Sequence, residues 1–570
     1  MAEKLEKVDV VTVGVGWTGG IIAAECAKAG LTVKGLERGG DRGTDDYQMI
    51  HDELRYGIRY GLMQDLSKET ITFRNHSKQR ALPMRQHGSF LLGEGLGGAG
   101  THWNGMVHRF LPYDFEIKTM TDERYGKDKL SSDYLLQDWG ITYDELEPYF
   151  DTFEKTLGIS GDGKNPFAGK RSSEFPTGPL KKTESMRWFE EATKKLGYNP
   201  FMLPAATLSE QYTNPDGETI NTCQYFGFCE RFACEFDAKA SPEITVVPTA
   251  LKTGNYEITF HANVVEVLKE GDKTTGVRYI DTQSNKEYIQ PADVVVLTSY
   301  VLNNAKLLMV SDIGEQYDPK TGKGTLGRNY CYQILPGASG FMEEKRNIYM
   351  GTGALGICID DLNGDNFDHS DLDFIHGAVI SLSQTGARPI ATNPLPADVP
   401  SWGAEFKKAS IENYGKQIGI GGQGASMPHK NNYLTLDDTY KDAYGVPLLQ
   451  MNYNFTEQDK NLQAYLSKKM VPILEEMGAK DVVGRGPIED YSIVPYQTTH
   501  NTGGTVMGAD PETSVVNNYL QHWDMDNLFV VGAGNFAHNG GYNPTGTVGA
   551  LAYRCAEGVI KYSKDGGSLV

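Results

Sequence analysis

The sequence predicts an α/β protein of two units, one wound about parallel strands and the other built on alternating ones. Three observations predict it. An apolar strand near the start runs into a glycine-rich turn and a helix of small residues. Strand-like runs return from Glu257 onward, and residues 330–490 alternate apolar and polar positions around a long helical stretch. At 570 residues the chain exceeds what one core accommodates, so at least two domains are expected.

Composition narrows the function classes. With 54 Lys and Arg against 74 Asp and Glu the net charge is −20, and no dense basic run is present to track a phosphate backbone, which excludes nucleic acid as the main ligand. The acidity reads as solubility. No apolar stretch reaches the roughly eighteen residues of a transmembrane helix. The start, Met1–Lys7, is charged and leaves no apolar signal region, which reads as cytoplasmic. Seven cysteines, an odd number, fit a reduced chain better than a disulfide framework.

Val8–Val13 is almost continuously apolar and β-branched, as a strand buried on both faces is. It feeds Gly14-Val15-Gly16-Trp17-Thr18-Gly19, and Ile21–Ala29 then reads as a helix ended by Gly30, with a second strand at Leu31–Leu36 and Glu37 at its tip. Gly14 permits the tight turn, Gly16 admits a pyrophosphate close to the backbone, and Gly19 lets helix and strand touch. Glu37 is placed to accept from a ribose hydroxyl. The context is that of a dinucleotide site, which the motif alone leaves open between FAD and NAD.

Gly93–Gly105 holds six glycines in thirteen residues, too many for a helix or an ordinary strand. Such a loop lets backbone lie against something flat or charged. Leu96, Trp103 and Met106 are buried-type residues, which argues against a flexible linker. Thr142–Leu157 and Glu184–Leu196 read as helices. Cys223, Cys229 and Cys234 fall within twelve residues of an aromatic, Gly-bearing loop, a pattern that suits a soft metal centre; zinc would need a fourth ligand, and no His lies nearby. The alternatives are buried free thiols or one disulfide.

Strands are read at Ile258–Phe260, Val264–Leu268, Thr275–Asp281 and Val294–Ser299, with a helix over Asn304–Ser311. In the second unit they are read at Leu335–Phe341, Phe374–Ser383 and Leu448–Tyr453, with a helix over Asp459–Met477. Asp360–Asn366 has the wrong glycine position and no closing glutamate for a calcium loop, and reads as a solvated acidic turn. The stretch 497–549 carries His500, Asn543 some 43 positions later, a strand-like Asp526–Gly534 and a helix from Pro544 to Ala556. A histidine suits the removal of a hydroxyl proton near neutral pH, and an amide donor suits the oxygen that gains charge.

The first G-x-G-x-x-G, the Gly97-Gly98 loop roughly eighty residues on, and the His500…Asn543 pair together resemble the glucose-methanol-choline (GMC) family of FAD oxidoreductases across nearly the whole chain. Within it the chain is similar to gluconate 2-dehydrogenase and fructose dehydrogenase flavoprotein subunits, with pyranose oxidase-like features. The resemblance implies a Rossmann-type FAD-binding domain of residues 1–115, 215–330 and 490–570, and an α+β substrate domain on a large antiparallel sheet, residues 116–214 and 331–489.

It also implies FAD contacts at Gly14, Gly16, Gly19, Glu37, Gly97, Gly98, Asn104, Val265, Gly534, Pro544 and Thr545. His102, in Thr101-His102-Trp103, is the implied covalent tether, and His500 the base with Asn543 as its partner; His538 is a rival base. Cys223, Cys229 and Cys234 are the implied iron–sulfur ligands, although Phe226 and Phe228 stand where related chains carry cysteine. Ser299-Tyr300 replaces an expected Ala-Gly, and Gly532 an expected Asp. The activity implied is oxidation of a sugar or sugar-acid alcohol, with electrons leaving to an acceptor, a small subunit or a cytochrome partner. A periplasmic, membrane-associated location through an exported partner is then the alternative to the cytoplasm. An oxygen-using pyranose or glycoside oxidase and an NAD-dependent dehydrogenase are the rival readings.

Overall fold

Strand β1 (Val8–Val13) leads into helix α1 (Trp17–Lys28), and β2 (Val33–Leu36) lies parallel beside β1. The computed structural model describes residues 2–47, 53–54, 62–85, 92–229, 232–386, 390, 392–494 and 498–569. Helix α1 starts a turn earlier than Ile21. Its first turn contains Gly19 and Gly20, poor helix formers that mask the start, yet a Cβ on Gly19 would stand 2.0 Å from Gly14 O. Close packing of turn on helix requires glycine there.

Strand β3 (Tyr256–Thr259) extends the parallel sheet beyond β2. Then β4 (Ala262–Glu270), β5 (Lys273–Asp281) and β6 (Glu287–Leu297) form an antiparallel meander. The second half of β6 turns back beside β1, parallel to it, and α2 (Val301–Val310) follows. Strand β7 (Met525–Val530), from the far end of the chain, pairs with the tip of β6, and α3 (Thr545–Asp565) packs against α1. Val10, Val11, Val295, Val296, Leu297, Leu528, Phe529 and Val530 are fully buried, which explains the unbroken apolar runs.

A second sheet of six antiparallel strands runs in the order Lys480–Gly484, Gly337–Phe341, Gln417–Gly424, Ala378–Ser383, Gly356–Ile359, Phe201–Met202. Helix Glu457–Glu476 packs across it with Leu466, Met470 and Ile473 buried. Thr456 caps that helix by accepting from Asp459 N. Gln417–Gly424 gave no strand signal because four of its eight residues are glycine. The structure shows why: a Cβ on Gly422 would meet Pro336 Cγ at 2.9 Å, and one on Gly424 would meet Ile334 Cγ1 at 2.4 Å.

A third sheet joins early and late sequence. Ile71–Arg74, in the stretch the resemblance gives to the FAD-binding part, pairs in parallel with Pro447–Asn452, and Leu82–Pro83 pairs with it in turn.

The turn at Asp360–Asn366 corrects an expectation. It is not solvated: Asp360 and Asn363 are fully buried. Asp360 Oδ2 accepts from Asn165 Nδ2 at 2.5 Å and from the hydroxyl of Tyr542, and Oδ1 accepts from Asn363 Nδ2 at 3.2 Å. Composition hid this, because Oδ2 is matched by donors from two distant segments and Oδ1 by one within the turn. Burial pushes the Asp360 carboxyl up to about 6 against those hydrogen bonds. A folded-state pKa raised from 3.8 means that Asp360 weakens the fold as pH rises through 6 and ceases to do so below 4. Asp360→Asn removes the ionisation. The difference in melting temperature, variant minus wild type, should therefore be most positive above pH 7 and shrink toward pH 4, as differential scanning fluorimetry would show.

Candidate active site

The carboxyl ends of β1, β2, β6 and β7 open into one cavity of about 1450 Å³, counting its mouth. Gly14 and Gly16 line it from the first turn, Glu37 from the end of β2, Gly98 from the glycine-rich loop, Val265 from β4, and Pro544 and Thr545 from the start of α3. His500 stands on the same wall. Gly19, Gly97, His102, Asn104, Gly534 and Asn543 do not line it. Gly97 has φ +80° and its Cβ would meet Thr101 Oγ1 at 2.4 Å; Gly534 packs on Thr505 and Asn104 on Gly353.

The two glycine loops face each other. A Cβ on Gly16 would have Gly97 O at 3.7 Å as its nearest neighbour, and one on Gly98 would have Gly16 Cα at 3.7 Å. The protein thus leaves room there, and side chains would fill it. Gly16 is the N-cap of α1 and brings no capping side chain, so the first N–H groups of that helix remain for a ligand's anion. A dinucleotide pyrophosphate fits this cradle.

Glu37 does more than the motif requires. Its Oε2 accepts from Val15 N at 3.1 Å, and its Oε1 accepts from Gly39 N at 2.9 Å and Gly95 N at 3.1 Å. The carboxylate retains capacity for a further donor such as a ribose hydroxyl.

Sequence reasoning missed the ionic group at the far end of the cavity. Lys306 Nζ on α2 donates to Glu69 at 2.6 Å and to Asp442 at 2.9 Å, while Arg38 pairs with Glu69 and, at 2.9 Å, with Glu94. Burial pushes the Glu69 carboxyl up, but Lys306 and Arg38 hold it down to about 2. These five residues come from five separate segments, and no local pattern announces them.

His500 Nε2 accepts from Asn543 Nδ2 at 3.1 Å, so the two side chains singled out in the sequence meet. Asn539 Nδ2 donates to His500 O at 2.6 Å. Residues 495–497, where the His500 stretch begins, lie outside the described residues. Beside Asn543, Tyr542 stacks on His108 with ring centroids 4.7 Å apart. His538, the rival base, is fully buried and committed: its Nε2–H donates to Asp114 Oδ1 at 2.9 Å and its Nδ1 accepts from Trp139 Nε1 at 3.2 Å. His376 Nε2 donates to the same oxygen at 2.8 Å, its Nδ1 accepts from Gly377 N, and Asp114 Oδ2 accepts from Leu111 N. Among the described residues Asp114, His376 and His538 are the one group close enough to hold a single ion, yet every acceptor and ring nitrogen there is already matched within the protein. It is a structural brace.

The cysteines share a loop but not a single-ion geometry among the described residues; Glu230 and Arg231 between them lie outside those residues. Cys223 and Cys229 both share hydrogen bonding with Thr352, and burial pushes the Cys223 thiol up to about 12, helped by the other two sulfurs. Lys239 Nζ donates to Phe232 O and Trp103 O, both at 2.6 Å, tying this loop to the glycine-rich one.

Family models described as GMC oxidoreductase match residues 136–334 and 428–552. The chain is 40% identical to the gluconate 2-dehydrogenase flavoprotein of Pantoea cypripedii, over 100% of this chain and 96% of that one. The chain is a GMC oxidoreductase. It is also 24% identical to the fructose dehydrogenase large subunit of Gluconobacter japonicus over 99% of this chain and all of that one. A formate oxidase variant from Aspergillus oryzae RIB40 shares the fold with a TM-score of 0.62, at 15% identity and full coverage of both chains. GMC oxidoreductases bind FAD, and the glycine turns and helix N-terminus that line this cavity fit a flavin dinucleotide.

Two glycine variants separate cradle from packing. Gly16→Ala should leave the fold intact, because the new methyl meets nothing nearer than Gly97 O at 3.7 Å, but should lose bound flavin. Gly19→Ala drives a methyl into Gly14 O and should lower thermal stability together with flavin content. The flavin-to-protein absorbance ratio and the melting temperature measure both.

Proposed function

We propose that this GMC oxidoreductase oxidises a hydroxyl group of a sugar or sugar acid to a carbonyl, with His500 as base, and passes the electrons to a separate acceptor. The observation that supports it best is the 3.1 Å contact between Asn543 Nδ2 and His500 Nε2 at the flavin cavity. An amide nitrogen can only donate, so the lone pair of His500 is on Nε2 and its proton on Nδ1. That is the tautomer a base needs. A hydroxyl entering between the two side chains gives its proton to His500 Nε2, and its oxygen accepts from Asn543 Nδ2 as negative charge builds. Bound FAD supplies the hydride acceptor. The sugar assignment is supported by whole-length similarity to a gluconate 2-dehydrogenase flavoprotein and a fructose dehydrogenase large subunit.

One of those relatives is named as a large subunit, which supports a small partner subunit; the family resemblance extends the proposal to a cytochrome partner and a membrane-associated, periplasmic location. No described helix is long and apolar enough to cross a membrane. Cys223, Cys229 and Cys234 are the proposed ligands of an iron–sulfur cluster. In such a cluster each cysteine binds its own iron, so the sulfurs need not close on one ion. His102 is the proposed flavin tether, since it is buried with Nε2 packed behind Gly93, a lining residue. The same position favours a second reading, an oxygen-using pyranose or glycoside oxidase.

His500→Ala should slow anaerobic flavin bleaching by a sugar roughly 10²–10⁴-fold while the flavin stays bound; near-normal bleaching would remove His500 from the role of base. Stoichiometric peroxide under air would replace the dehydrogenase reading by the oxidase one. One purified sample checks the two cofactor assignments: iron should be present and lost in Cys229→Ser, and yellow colour should stay with acid-precipitated protein and leave in His102→Ala.

A further inference from the structure

His500 itself and one residue near it hold backbone that L-amino acids rarely adopt. His500 has φ +61° and Tyr300 has φ +126°. Such conformations persist only where surrounding contacts over-determine them, and they collect at sites where geometry serves function. At Tyr300 a glycine would adopt the same backbone without strain. The tyrosine is therefore kept for its side chain.

That side chain is engaged on both sides of His500. Tyr300 stands at the end of β6, at the head of α2, and lines the flavin cavity. Its hydroxyl donates to Thr498 O at 2.8 Å and accepts from Asn501 Nδ2 at 2.7 Å. Asn501 Oδ1 accepts in turn from the hydroxyl of the fully buried Tyr330. One phenol thus grips the chain two residues before His500 and one residue after it.

We propose that Tyr300 is a positioning residue for the base: through Thr498 and Asn501 it fixes the strained backbone at His500 and aligns the imidazole with the cavity wall that Tyr300 itself forms. The proposal rests on the reading of His500 as base. A tyrosine present only for packing would not need its hydroxyl in both its donor and its acceptor role on one short segment. The resemblance to the family leads one to expect glycine here, and this chain has tyrosine.

The test uses the full-length, FAD-loaded protein and anaerobic stopped-flow bleaching by a sugar that reduces the wild type. Tyr300→Phe keeps the ring and removes the grip. It should bind FAD fully and melt as the wild type does, while the saturating rate of flavin reduction falls about 10–100-fold, in line with a misplaced catalytic group. The sugar concentration at half saturation should change by less than about twofold, because ground-state binding is untouched. Asn501→Ala should give a similar loss, and the double variant should be no slower than the slower single one, since both act through one connection. An unchanged rate in Tyr300→Phe at full FAD occupancy, or losses that multiply in the double variant, would overturn the proposal. Should Tyr300→Phe fail to hold FAD, Asn501→Ala decides alone: a slowed rate supports the proposal and a normal rate overturns it. His500→Ala in the same assay keeps the two readings apart. A fast His500→Ala sinks the base itself, whereas a slow one beside a normal Tyr300→Phe sinks only this inference.

Discussion

The buried carboxylate of Glu37 is the constraint on which the flavin site depends. It accepts backbone N–H groups from Val15, Gly39 and Gly95, and so joins the phosphate turn, the exit of β2 and the glycine-rich loop at one point. Hydrogen bonds to a charged acceptor are worth about 1.5–3 kcal/mol each, and losing the acceptor would leave three buried donors unmatched. The two glycine loops can then face each other at the spacing seen between Gly16 and Gly98. A residue that the nucleotide-binding motif assigns to ribose is equally the keystone of the protein's own backbone.

The same economy holds behind the reacting pair. The segment from Phe536 to Asn543 is irregular, and nothing in its own sequence would fix Asn543. It is fixed by partners: His538 by Asp114 and Trp139, Asn539 by the backbone of Ser426 and His500, and Tyr542 by Asp360 and His108. Two of these anchors are buried carboxylates whose pKa values shift in opposite directions. Burial raises the Asp114 carboxyl, but His376 and His538 outweigh it and hold the group well below the usual range. Asp360, with only neutral donors, is raised. Desolvation acts on both, and the strength of the local donors decides the sign.

Much of this was legible in the sequence, and the reason differs by element. β1, helix Tyr143–Leu157, β4 and β5 were read correctly because apolar spacing reports burial directly, whereas of β6 only the half beside β1 was read. His500 and Asn543 were singled out because their chemistry demands particular side chains, and the fold brings the two into contact. Illegible were features whose partners are remote in sequence. The Lys306–Glu69–Asp442 group, the burial of Asp360 and the pairing of Ile71–Arg74 with Pro447–Asn452 all need the tertiary fold before any of their residues has meaning. Gln417–Gly424 failed for the opposite reason: its glycines contradict strand propensity because neighbouring atoms leave no space for a Cβ.

Position in the sheet accounts for where the chemistry sits. β1, β6 and β7 place Gly14, Tyr300 and Gly532 at one edge of the cavity, though they come from the beginning, middle and end of the chain. His500 reaches that edge from an irregular segment held by backbone pairing of Cys331 with Thr502 and of Gly503 with Ala533. Those bonds join the His500 segment to Cys331, ahead of strand Gly337–Phe341 of the second sheet, on one side and to the residues after β7 on the other. His500, the proposed base, is therefore carried by the seam between the two large sheets and belongs to neither. A shift of one sheet relative to the other would move His500 against the flavin wall, which gives the seam its dense cross-linking by backbone, Asn539 and Tyr300 a physical reason.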